Sequence, residues 1–454
     1  MWGLRVERSG ASPERVALFA YLALQELAVL GLRTPRYPDS FTYLHLDLTG
    51  KDVRLPAVPL LYKIIPTDDS RIAAQVILAT AAWWIVAKVA SNLIVDRRVR
   101  LGLRFVLLAL GLVTSVTSWN SVILSESAAI SLTVLMIAVW LRFAVAPAWG
   151  RAAAALGVTF VWSLTRQPNV LFGVALTVAA LIALARSRAD FRVRAAVAVG
   201  LVCVNLIGLV EEHRNQTLAQ NSVQSIVQMR ILPNKDWTAW FVAHGMPYSP
   251  ALARYSGVPR QHQEPLPAFL NWVHTRGESV YVRFALTHPR YTLAEPLSSF
   301  SGESASLHHP NTSPFGALQP NPTPSMLSPI VSYGRVRSLL PAVVTWVVWG
   351  DGRFGDVFGL AILAVGAAIL AARRHGRDDR LVVPAIVTAL VVPEGYILWL
   401  SGGETLGELD RLSMVTAVSV RVGLMMMVAF AIDRLITAAR PDDGTRAVAT
   451  PRST

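Results

Sequence analysis

A single cysteine, Cys203, excludes any internal disulfide and any metal cluster built on thiolates. Lysine is nearly missing: arginine outnumbers it by about tenfold, and this usage, with abundant alanine and valine, fits a GC-rich bacterial genome. Charge itself is scarce, 16% of 454 residues against 53% hydrophobic, which excludes a string of soluble domains and points to burial in a bilayer. No phosphate-binding loop, dinucleotide fingerprint, Ser-His-Asp arrangement or internal repeat occurs. Histidines gather between 212 and 335, His308-His309 among them, without the spacing of zinc ligands. The formal net charge of +13 does not form a nucleic-acid patch, because the arginines sit in short loops between apolar runs, where they orient helices in a membrane.

What is present is a series of apolar runs near membrane-spanning length, with a mean hydropathy of +0.44. The pattern predicts an all-α polytopic membrane protein of about ten transmembrane helices, near 16–32, 70–95, 103–118, 123–146, 152–165, 170–185, 195–211, 355–372, 381–400 and 412–436. The first run contains Gln25 and Glu26 and is followed by Arg33, so it reads as a retained helix and not a cleaved signal. Basic loops then fall at Arg5, Arg8 and Arg15, at Arg97 to Arg104, at Arg151, at Arg186 to Arg194, at Arg373 to Arg380 and at the C-terminus. All land on one side, so both termini are expected in the cytoplasm of a multi-pass cell-membrane protein.

The chain divides into an N-terminal transmembrane module (1–211, with a first outer loop at 34–69), an extracytoplasmic insert (212–335), an interfacial helix with the C-terminal spans (336–440) and a cytoplasmic tail (441–454). Within the insert, Ser222 to Ile231 and Ala268 to Thr287 are helix-like, and the Pro-rich run from Pro310 to Pro329 cannot propagate a helix. Val336 to Trp349 reads as an interfacial or partly inserted helix with Trp346 and Trp349 at headgroup level. The short helices 152–165 and 170–185 suit a hairpin with Arg166 at its tip.

Three stretches carry a resemblance. The first outer loop reads Arg36-Tyr37-Pro38-Asp39-Ser40-Phe41-Thr42-Tyr43, with Leu55-Pro56-Ala57-Val58-Pro59-Leu60-Leu61-Tyr62 further on; Ser125-Glu126 stands near the outer end of a helix; and Glu408-Leu409-Asp410-Arg411 precedes the last one. In these the chain resembles the GT-C glycosyltransferases, a superfamily with an acidic residue in the first outer loop and lipid-phosphate sugars as donors. The resemblance implies an inverting enzyme that moves a sugar from a polyprenyl-phosphate donor to a cell-envelope glycan, lipid or protein acceptor. Asp39 would be the catalytic base, Arg411 and Arg166 would bind the donor phosphate, and Glu126, Tyr43 and Asp410 would line the cavity. The resemblance fixes no cofactor, and a divalent cation would enter if Asp39 and Glu126 converge.

Each assignment has a plain alternative: Asp39 capping the helix that follows, Arg411 as a snorkelling anchor, Glu126 settled by the N-terminal end of its own helix. At the level of function the alternatives are a transporter or flippase, which needs midplane polar groups and access from both sides, and a scaffold whose insert binds a partner. Depth counting also pairs Glu394 with Arg421, with Glu26 as the rival partner, because a buried Arg and a buried Glu at similar depth should meet.

Overall fold

The computed structural model describes residues 13–31, 40–46, 54–166, 191–214, 216–258, 264–296, 339–349, 354–375, 378–401 and 409–439, with short pieces between 169 and 181. Asp39, the His308-His309 pair and the run from Pro310 to Pro329 lie outside the described residues, as do the side chains of Glu394, Asp410 and Arg411. Among the described residues every regular element is helical.

Helix α1 (Pro13–Val29) leads to two short helices, α2 (Ser40–Leu44) and α3 (Ala57–Ile64), and then to α4 (Asp68–Asn92). The start of α4 is fixed locally: Thr67 and Ser70 form a reciprocal capping box, and Asp68 and Asp69 occupy the first turn, where negative charge is favoured. Its 25 residues rise about 38 Å, enough to cross a bilayer. A tight turn follows, in which Asp96 accepts from the N–H groups of Arg98 and Val99 and so begins α5 (Arg97–Leu110).

Where the sequence predicts one helix over 103–118, the chain instead breaks. Helix α5 ends at Leu110, a turn of helix α6 (Thr114–Thr117) and a 3₁₀ turn (Ser118–Ser121) follow at a 50° bend, and α7 begins at Glu126 (Glu126–Val145). Gly111 permits the break to pack: a Cβ there would stand 2.6 Å from Cγ of Trp83 and collide with the Tyr21 hydroxyl.

Helix α8 (Trp149–Ser163) packs on α7, and α9 (Phe191–Arg214) packs on α8. The insert begins with α10 (Gln216–Ile226) and continues through α11 (Lys235–Ala243), α12 (Pro267–Trp272) and α13 (Glu278–Thr287). Both stretches predicted helical in the insert are so, each with a π-helical turn, Val227–Ile231 and Val273–Gly277. The C-terminal part holds α14 (Ala342–Trp349), α15 (Phe354–His375), α16 (Val382–Ala389), α17 (Val391–Leu400) and α18 (Leu409–Ala439). The predicted span 381–400 is thus two helices divided at Leu390.

Among the described residues four helical stretches, Asp68–Asn92, Glu126–Val145, Phe191–Glu211 and Met414–Ala438, are long and apolar enough to cross a membrane, and the bent pair Arg97–Leu110 with Thr114–Ser121 makes a fifth if it is taken as one span. The main core lies between α1, α4, α5, α7 and α18. Helix α14, over the stretch read as interfacial or partly inserted, packs on α5; Trp346 is 56% exposed and Trp349 3% exposed.

One end of this bundle is held by charge. Asp433 of α18 is fully buried and accepts from the N–H groups of Val95 and Asp96 at 2.9 and 2.8 Å and from Nη1 of Arg380 at 2.8 Å. Arg380 also donates to the carbonyl of Leu93 and, through Nη2, to Asp378, which Arg434 approaches at 3.1 Å. The arginine-bearing turns at 96–98 and 378–380 therefore meet at this end.

Burial alone would raise the Asp378 carboxyl, but the bonds from Arg380 and then Arg434 hold it below the usual carboxylate range. A depressed folded value means its stabilisation is present above the ordinary carboxylate range and is lost as pH falls through the lowered folded value. Asp378→Asn should therefore flatten the acid limb of a plot of thermal midpoint against pH. Arg380→Gln leaves Asp433 buried without its cation and should cost about 3–5 kcal/mol, seen as a lower midpoint at neutral pH.

Candidate functional site

The site is built where α2 and α3 meet the broken helix. Residues 122–125 are not helical, so their carbonyls need donors from elsewhere. Nε2 of Gln75 donates to the Val122 carbonyl at 3.1 Å, and the Tyr62 hydroxyl donates to the Leu124 carbonyl at 2.7 Å. The carbonyls at the end of α5 are served from α1: Tyr21 donates to Leu108, and Gln25 donates to Gly111 and to the Tyr21 hydroxyl. Asn120 reaches Gln25 at 3.4 Å and accepts from Ser127 at 2.7 Å. The elbow is thereby fixed on both sides of Glu126.

Glu126 is 2% exposed and opens α7, where its charge meets the positive end of the helix. The Tyr43 hydroxyl shares a 2.9 Å hydrogen bond with the hydroxyl of Ser125, so α2 closes over the same point. Arg54 lies over the Tyr43 ring, 4.7 Å from its centroid, and donates to Thr42. Arg71 donates from Nε and Nη2 to the Tyr62 carbonyl and pairs with Asp68 at 2.6 Å. Burial, then the neighbouring Glu126 carboxylate and Tyr43, push the Tyr62 hydroxyl far above its ordinary value, so it keeps its proton and stays a donor to Leu124.

The tip of α8 joins from the side. The Ala57 N–H donates to the Leu164 carbonyl at 3.2 Å, tying α3 to the turn that carries Arg166. Arg166 is 7% exposed, and the turn is braced by Asn169, whose Nδ2 donates to the Trp162 carbonyl and the Thr165 hydroxyl.

Of the sequence-predicted site residues, the structure thus gathers Tyr43, Glu126 and Arg166 at one end of the bundle. Asp39 is outside the described residues, but Ser40, the next residue, is fully buried at the start of α2. For Asp410 and Arg411 only the backbone, in the first turn of α18, is described. Among the described residues no three His, Cys, Asp or Glu side chains group as metal ligands.

The expected Glu394–Arg421 pair falls on a side chain outside the described residues. What Arg421 does is donate from Nε to the Trp349 carbonyl at 3.0 Å and from Nη1 to the Ala417 carbonyl at 2.9 Å, with its guanidinium 4.1 Å from the Trp349 ring centroid. Glu26 is not among these partners.

Sequence reasoning missed Tyr62, Gln75, Arg71 and Asn120. Gln75 was detectable as an amide inside an apolar run, where a polar side chain signals an internal partner. Tyr62 closes a quoted motif and Asn120 lies just before Ser125-Glu126, but nothing in the sequence shows that residues 122–125 leave the helix.

Tyr62→Phe removes the donor to a buried carbonyl and should destabilise the protein by about 1–3 kcal/mol, measured as a drop in thermal midpoint. Gln75→Leu should act in the same direction, and the double variant should lose less than the sum, because both secure one elbow. Compared with known proteins, the sequence matches no family model, and a search of the curated proteins finds no match.

Proposed function

We propose that this chain is an inverting membrane glycosyltransferase of GT-C type, moving one sugar from a polyprenyl-phosphate donor to an envelope acceptor at the outer face. The observation that carries the reading is the docking of α2 and α3 onto Ser125-Glu126: the outer loop bearing Asp39 is folded onto the second motif of the resemblance, with Arg166 alongside. Ten spans with both termini in the cytoplasm belong to this proposal, supported by the meeting of the arginine-rich turns at the opposite end.

In the reaction, the Asp39 carboxylate takes the proton of the acceptor hydroxyl as its oxygen attacks the anomeric carbon. The bond from that carbon to the phosphate oxygen breaks, and the polyprenyl phosphate leaves with the electron pair. Phosphate is a good leaving group, so one carboxylate suffices where a glycosidase needs two. Arg166 or Arg411 neutralises the phosphate through paired N–H donors. Glu126 lines the cavity and, with Asp39, would hold a divalent cation if one is used.

The rival reading, a transporter or flippase, has Arg421 in its favour, a cation deep in a membrane helix. Transfer of radiolabelled sugar in isolated membranes supplied with polyprenyl-phosphate sugars separates the two. Asp39→Asn should lower transfer by about 10²–10⁴-fold with folding intact. Retained activity removes Asp39 from the mechanism, and no transfer by the native chain moves the assignment to transport.

A further inference from the structure

Arg421 lies within the apolar stretch Met414–Ala438 and is 1% exposed. Two of its nitrogens are served by carbonyls, those of Trp349 and Ala417, but carbonyl dipoles leave the net charge in place. Among the described residues Nη2 of Arg421 has no hydrogen-bond partner, and neither has Nε1 of Trp349, the ring on which the guanidinium rests. Among the described residues, then, two buried N–H donors without acceptors belong to one stacked pair, and its guanidinium has no carboxylate partner. Donors that have lost water need acceptors, and a buried guanidinium needs a counter-charge.

We propose that Arg421 and Trp349 form a buried site for a phosphate-class oxyanion. One tetrahedral anion offers several acceptor oxygens, enough to take both orphan donors at once, and its charge balances the guanidinium. The way in is lateral: Val343, Trp346 and Val347 of α14 are 72%, 56% and 56% exposed, so the helix ending at Trp349 presents an apolar face to the bilayer. The same chemistry can be brought by a lipid phosphate from that side or by free inorganic phosphate. The inference rests on the membrane character of the chain and not on the transferase reading.

The test uses the full chain in detergent, with native mass spectrometry counting bound farnesyl phosphate, inorganic phosphate and, as a neutral control, farnesol. Trp349→Phe keeps the ring and the carbonyl that Arg421 uses and removes only the indole N–H. It should weaken one bound phosphate by about fivefold to tenfold, the size of one lost hydrogen bond. Arg421→Gln should abolish that binding. Saturable binding of farnesyl phosphate alone identifies a lipid source, and binding of both compounds identifies the free anion. Binding of neither, binding of farnesol equally well, or binding unchanged by Trp349→Phe overturns the proposal; the last result places the phosphate elsewhere and leaves the transferase reading standing.

Discussion

One end of the structure depends on closing a broken backbone inside an apolar bundle. Between Leu108 and Leu124 at least four carbonyls fall outside the helical ladder, and each receives a side-chain donor from α1, α3 or α4. Without water to replace them, these bonds decide whether the elbow can exist at all. They also decide where Glu126 stands, since its helix starts only where the elbow ends. Tyr62 does two tasks in one gesture: it caps the Leu124 carbonyl and draws α3 down onto the turn before Ser125-Glu126.

The opposite end is organised by a different economy of charge. There the fully buried Asp433 collects two backbone N–H groups and Arg380, joining the α4–α5 turn, the start of α16 and the last helix. A buried carboxylate so fully bonded tolerates little displacement, which suits an anchor. The two ends are thus built on contrasting principles: neutral donors serving carbonyls at one, and an ionic knot at the other.

Much of this was legible in the sequence, and the limits have physical causes. Hydropathy located α4, α7, α9 and α18, because a helix in lipid must be apolar along a whole bilayer thickness. It misjudged the stretch after Leu110 and the division at Leu390, because residues such as Val122 to Leu124 are as apolar in an elbow as in a helix. The motif around Ser125-Glu126 was visible, but its supports, Gln75 and Tyr62, lie far away in sequence and are joined to it only by the fold. Arg421 was rightly singled out as buried; the backbone carbonyl and indole ring it found are partners that no residue pairing by charge would propose.

The grip of the insert on α17 has a mechanical meaning. Tyr281 donates to the Leu400 carbonyl, Trp399 donates to the Tyr291 carbonyl, and Arg230 lies 3.9 Å over the Trp399 ring while bonding the Tyr291 hydroxyl. Helix α17 is 10 residues long, a rod of about 15 Å, and it starts beside Leu390, where Pro393 deprives the Ala389 carbonyl of its helical donor. A rod clamped at its far end and weakened at its near end is a lever. Any tilt at Leu390 must swing the aromatic heart of the insert through a larger arc than the pivot itself, so the position of the insert is geared to the packing of the last helices.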